Sequence, residues 1–132
     1  MKCLIAEDIS ISAEILKRMM SRYATCDLAA NGQEAIALFL EAHGSNSPYE
    51  LILMDIMMPE IDGLKAVQFI REKEESMKIP LSQRVKVIMT TALDDPRTVI
   101  KALYESDANS YLTKPINARM IEEELRKLKL IR

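Results

Sequence analysis

The chain has 132 residues, 48% apolar and 29% charged, which suits one compact domain over residues 1–132 with a real core and leaves no room for a second. Its formal net charge of −2 comes from interspersed acids and bases, so neither a nucleic-acid footprint nor an acidic tail stands out. The two cysteines, Cys3 and Cys26, lack a CxxC spacing and His43 is the one histidine, so buried free thiols are expected rather than a disulfide or a zinc site; acids as early as Glu7 and the want of a long apolar run argue against a signal peptide or a membrane span and for a cytosolic protein.

A first strand is predicted near residues 2–7, ending in Glu7-Asp8. Ser10 reads as the N-cap of the next helix, with Ile11, Ile15, Leu16, Met19 and Tyr23 as its apolar stripe. A second strand near 25–30 ends blandly at Ala29-Ala30, and Asn31-Gly-Gln-Glu34 has capping-box spacing ahead of a helix burying Ala35, Ile36, Phe39 and Leu40. His43, beyond it, is expected at the surface. The third strand, near 50–55, runs into Asp55 and then Met57, Met58, Pro59 and Asp62-Gly63; Pro59 reads as a loop stiffener and Asp62-Gly63 as the start of a third helix with Leu64, Val67 and Ile70 inward.

A long polar connection, 72–84, leads without an evident role to a fourth strand near 85–91, in which Thr90 is expected to be structural and Thr91 to stand at the end. Asp94-Asp95-Pro96 suits the positive end of a fourth helix, with Val99, Ile100 and Leu103 inside. The fifth strand, near 108–112, is followed by Lys114-Pro115. The last helix carries Ile121, Leu125 and Leu128 at helical spacing, acids at Glu122 to Glu124 and bases at Arg126, Lys127 and Lys129, as the macrodipole prefers. Met19, Met20, Met54, Met89 and Met120 read as core, and Met58 as exposed near the strand ends.

Strands alternating with helices argue for an α/β fold, a parallel sheet covered on both faces, whose ligands bind beyond the carboxyl ends of the strands. With the first and third strands as central neighbours, Glu7, Asp8, Asp55, Thr91 and Lys114 converge there. Three clustered carboxylates need a counter-ion, and magnesium, with its preference for oxygen, is the cation expected. Beside such a cation Asp55 suits a phosphoryl-accepting nucleophile, with Lys114 and Thr91 on the phosphoryl oxygens.

Glu7-Asp8, Asp55 through Pro59 to Asp62-Gly63, Thr91-Ala92 and Tyr111-Leu-Thr-Lys114-Pro115 resemble the receiver domain of two-component response regulators, of the chemotaxis-type single-domain kind, over essentially the whole chain. The resemblance implies a flavodoxin-like sheet of order 2-1-3-4-5 and phosphorylation of Asp55 from a histidine kinase or histidine phosphotransfer protein. It implies Mg²⁺ held by Asp8, Asp55 and the carbonyl of Met57, with Glu7 acting through a water. It further implies a switch pair, Thr91 and Tyr111, that reshapes the surface of the fourth helix, fifth strand and fifth helix, and structural roles for Pro59, Gly63 and a cis bond before Pro115. A bacterial, cytoplasmic signalling switch without an output domain is expected. It would be a monomer or a phosphorylation-dependent dimer acting on an unidentified target protein, with neither nucleic acid nor membrane as partner.

Glu7 stands where aspartate is commoner. Met57 and Leu93 put apolar groups where the family flanks the attacking water, which implies slow autodephosphorylation. Two other readings stand beside this one. A magnesium-dependent phosphohydrolase resembling the haloacid dehalogenase superfamily would want a second aspartate at position 57, which is methionine. A degenerate receiver acting as a scaffold would not need the full set of five polar residues.

Overall fold

The computed structural model describes residues 1–58, 61–92 and 96–132, without the side chains of Pro96 and Thr98. The expectations for Pro59, Leu93 and Asp94-Asp95 therefore lie outside the described residues. Strands β1 (Lys2–Ala6), β2 (Thr25–Ala29), β3 (Leu51–Asp55), β4 (Lys86–Thr91) and β5 (Ser110–Thr113) alternate with helices α1 (Ser10–Met20), α2 (Gly32–Gly44), α3 (Gly63–Ser76), α4 (Pro96–Ser106) and α5 (Ala118–Lys127). All sheet pairings are parallel, in the order β2-β1-β3-β4-β5. This is the expected flavodoxin-like arrangement. The central strand β3 is buried along its whole length, as its unbroken apolar run requires, whereas edge strand β2 exposes Thr25 and Asp27. Among the described residues no helix is long and apolar enough to cross a membrane.

Alternate residues of each strand serve opposite faces. Ile52, Met54, Val87 and Met89 pack under α2, α3 and α4 with Phe39, Val67 and Ile70, while Leu51, Leu53 and Ile88 pack under α1 and α5 with Leu16, Met20, Ile121 and Leu125.

Two helices are rotated relative to the expected stripes. In α1 the buried row is Ala13, Leu16 and Met20, leaving Ile11 71% and Ile15 49% exposed. In α4 Val99 and Ala102 face inward and Ile100 is 60% exposed. Small alanines admit the close approach of helix to sheet, and a reading that sought large aliphatic residues passed over them.

Ser10 is the first helical residue of α1, not its cap; Ile9 occupies the cap without a side-chain bond. Asn31, Asp62 and Asn117 do cap, accepting from the backbone N–H groups of Glu34, Lys65 and Met120 at 2.8, 2.9 and 2.9 Å. Met58 is buried and Met57 exposed, the reverse of the expectation for Met58. Met20, Met54 and Met89 are core, with Met19 and Met120 partly buried against it. His43 is half-buried, its ring edge-on to Phe39 with centroids 4.8 Å apart.

The 72–84 connection is a continuation of α3, a reversal at Met77–Lys78 and a 3-10 helix at Leu81–Gln83. Lys78 has φ 56°, in the left-handed region that glycine adopts at least cost. Its side chain is exposed, so Lys78→Gly is expected to raise stability by about 0.5–1 kcal/mol. A urea midpoint that fell would show that the lysine contributes packing here.

Candidate functional site

The strand order brings the carboxyl ends of β1, β3 and β5 to one end of the sheet. Glu7 directly follows β1 and Asp55 closes β3; both are buried, while Asp8 is exposed. Ligand oxygens of Glu7, Asp8 and Asp55 lie within 4.8 Å of one another. Lys114, just past β5, donates to Glu7 Oε2 at 2.8 Å and to Asp55 Oδ2 at 3.1 Å. The peptide bond from Lys114 to Pro115 is cis, as expected.

Backbone groups hold the acids in place. The N–H of Met57 donates to Asp55 Oδ1 at 3.0 Å, and that of Ile9 to Glu7 Oε1 at 3.3 Å. The loop after Asp55 is clamped from below: a Cβ on Gly63 would run into the Asp55 carbonyl, and one on Gly32 into the carbonyl of Ile61. At Gly63, α3 starts against the backbone of β3's last residue and leaves no room for a side chain. Gly32 was absent from the expected site; a glycine inside a helix start, where alanine is the better helix former, was its only signal.

Burial raises the pKa of Glu7, and the adjacent Asp55 adds to that, while Lys114 opposes it. Burial alone would lower the pKa of Lys114, but its hydrogen bonds to Glu7 and Asp55 outweigh this and raise it. The ammonium is thus the counter-charge of the acid pair. The ligand atoms that the three acids offer are carboxylate oxygens, a hard donor set that fits a small divalent cation of the magnesium kind.

Thr91 is buried at the end of β4, and its carbonyl accepts from the N–H of Lys114 at 2.7 Å. Asp55 pairs in register with Thr90, while Thr91 pairs with Thr113 and Tyr111 with Met89. By strand alternation Thr91 and Tyr111 therefore share the sheet face under α4, and Asp55 lies on the other. The structure brings Glu7, Asp8, Asp55 and Lys114 into direct proximity; Thr91 adjoins them through its backbone, and Tyr111 packs partly buried against the core.

Among curated proteins, the chain is 33% identical over 117 residues to the osmosensing histidine protein kinase SLN1 of Saccharomyces cerevisiae, covering 87% of this chain and 9% of that protein. It is 35% identical over 122 residues to the transcriptional regulatory protein ResD of Bacillus subtilis, covering 91% of this chain and 44% of that protein. The chain thus spans less than half the length of these relatives, which include eukaryotic kinases and so do not confine it to bacteria.

Among solved structures, the yeast Ssk1 receiver domain, crystallised with the histidine phosphotransfer protein Ypd1, matches with a TM-score of 0.81 and 28% identity over 96% of this chain and 87% of that one. CheY in the CheX-CheY-BeF3-Mg complex of Borrelia burgdorferi matches with a TM-score of 0.82 and 22% identity over 99% and 90%, a likeness of fold. A family model for the response regulator receiver domain matches residues 3–126. Sheet order, acidic cluster and family match agree: the chain belongs to the response regulator receiver domain family.

Proposed function

We propose that residues 1–132 act as one receiver domain that accepts a phosphoryl group on Asp55 in a magnesium-dependent reaction. The observation that carries this reading is the meeting of Glu7, Asp8 and Asp55 within 4.8 Å, with the Lys114 ammonium bonded to the acceptor carboxylate. Glu7, Asp8, Asp55 and the carbonyl of Met57 would hold the Mg²⁺, which when bound neutralises charge on the phosphoryl oxygens.

The remaining work falls to side chains of this domain. An oxygen of Asp55 attacks phosphorus while the bond from phosphorus to the donor's imidazole nitrogen breaks, leaving an acyl phosphate and a free imidazole. Lys114 is placed to pair with a phosphoryl oxygen once it releases the carboxylate, and the Thr91 hydroxyl serves a second oxygen. The Met57 N–H orients the carboxylate beforehand, at 3.0 Å from Oδ1. Apolar Met57, whose side chain is exposed, offers nothing to orient a hydrolytic water, so the acyl phosphate is long-lived.

In this reading Thr91 and Tyr111 couple phosphorylation to the surface of α4, β5 and α5, where Tyr104 and Ile100 are exposed. A state difference of a few kcal/mol suffices for such a shift. The donor is a histidine kinase or a histidine phosphotransfer protein, the latter being the kind of protein with which the Ssk1 receiver was crystallised. A cytoplasmic setting goes with that donor.

The test is incubation with acetyl phosphate and Mg²⁺, followed by intact mass. One added phosphoryl group per chain is expected, none in Asp55→Asn and none with the metal chelated. No uptake by the unaltered chain would leave it a scaffold. Rapid turnover of small phosphate esters would make it a hydrolase.

A further inference from the structure

Cys3 and Cys26 lie outside the phosphoryl site and take no part in its chemistry. They face each other in register across β1 and β2, both free and both buried. Both belong to the core cluster beneath α1, where the Cys3 thiol donates to the Leu4 carbonyl at 3.8 Å. A sequence reading finds them 23 positions apart in unrelated segments and assigns each to packing. From their juxtaposition we propose that Cys3 and Cys26 form an oxidisable dithiol, a modification site at which a hydroperoxide closes a β1–β2 disulfide.

Paired Cα atoms of neighbouring strands stand about 4.8 Å apart, inside the range of about 4.4–6.8 Å that disulfides span. Cβ atoms at the same spacing are slightly wide of the about 3.5–4.5 Å of a relaxed bridge, so one strand must draw in. Strand β2 resists this less than a strand held on both sides, because it is the sheet edge and pairs only with β1.

The two thiols are not equivalent. Cys26 keeps 7% of its surface exposed, whereas Cys3, on a strand paired on both sides, has none. Cys26, on the edge strand, is the attacking thiol and Cys3 the resolving one. The Cys26 thiolate attacks a peroxide oxygen; the O–O bond breaks, a sulfenic acid forms and the alkoxide or hydroxide leaves. Cys3 then loses its proton and attacks the sulfenic sulfur, forming the S–S bond and expelling water. Two thiols and one hydroperoxide give one disulfide, one alcohol or water from the leaving oxygen, and one water. The bond would give oxidant a second input to β1, the strand that leads into Glu7 and Asp8.

The test treats the full chain with stepwise equivalents of hydrogen peroxide, unfolds it in maleimide and counts labelled thiols. Thiol counting avoids the nine methionines, whose oxidation would obscure a mass measurement. Labelled thiols are expected to fall from two to none, to return on reduction, and to leave a Cys3–Cys26 linked peptide in the unreduced digest. In Cys3→Ala oxidation should stop at a sulfenic acid on Cys26 that dimedone traps. Cys26→Ala should keep its one thiol at the same peroxide dose, with circular dichroism checking that both variants are folded. Persistence of both thiols, bridges between chains in place of the internal one, or dimedone trapping at Cys3 in Cys26→Ala would each overturn the proposal. Should a variant unfold, the linked peptide from the unaltered chain decides alone.

Discussion

Arg71→Ala is expected to remove about 3–5 kcal/mol of folding stability, a large share of the roughly 5–15 kcal/mol that a domain of this size possesses. The guanidinium lies almost buried against Glu74, whose side chain has no exposure, at 2.7 Å. It also donates to the carbonyls of Val85 at 2.7 Å and Asp107 at 2.9 Å and to Asn109 Oδ1 at 3.0 Å. One side chain thereby joins the end of α3, the start of β4 and the turn between α4 and β5. Truncation leaves the Glu74 carboxylate, among the described residues, with the Val85 N–H alone, at 2.8 Å, and deprives the carbonyls of this donor.

The expense arises from the orphaned charge, so Arg71→Leu combined with Glu74→Leu should recover much of it. Urea denaturation of the three proteins decides this. A single-variant loss below about 1 kcal/mol would show that water or another donor replaces the guanidinium.

Lys114→Met is expected to slow phosphoryl uptake from acetyl phosphate about 10²–10³-fold at saturating Mg²⁺, the usual effect of deleting one donor aimed at developing charge. The same substitution should tighten Mg²⁺ binding. The ammonium occupies Glu7 Oε2 and Asp55 Oδ2 at 2.8 and 3.1 Å and competes with a cation for that negative charge. Slower chemistry together with stronger metal binding distinguishes a phosphoryl-pairing lysine from a merely structural one. Titration calorimetry gives the second quantity and intact mass the first. Uptake slowed less than tenfold, or Mg²⁺ affinity lost in parallel with rate, would remove Lys114 from the proposed role.

Much of this molecule was legible in the order of its residues. The alternation of short apolar runs with amphipathic stretches specified β1 through α5, and β3's unbroken run LILMD marked a central strand. The acids and the amine at the strand ends, which meet in the structure, marked the candidate site, because a buried strand rarely finishes on bare charge without a partner. The cap signal was read correctly at Asn31 and misread at Ser10, where Ile9 holds the cap, while Asp62, read as the entry to the third helix, also caps it through a backbone N–H three residues on.

Local periodicity defines that a segment is a helix; its rotation about its own axis is decided by what it packs against. Ile11, Ile15 and Ile100 therefore faced solvent while Ala13 and Ala102 went inward. The same limit hid the Arg71 network, whose acceptors include backbone carbonyls 14 and 36 residues away, and the pairing of Cys3 with Cys26, which exists only through strand register. Sequence by itself determined the elements, their order and the chemical character of the strand ends, since these follow from nearest neighbours along the chain. Tertiary structure alone decided which faces are covered, which carboxylate Lys114 reaches and which thiols meet, because those depend on distances between residues that the chain's own connectivity leaves free.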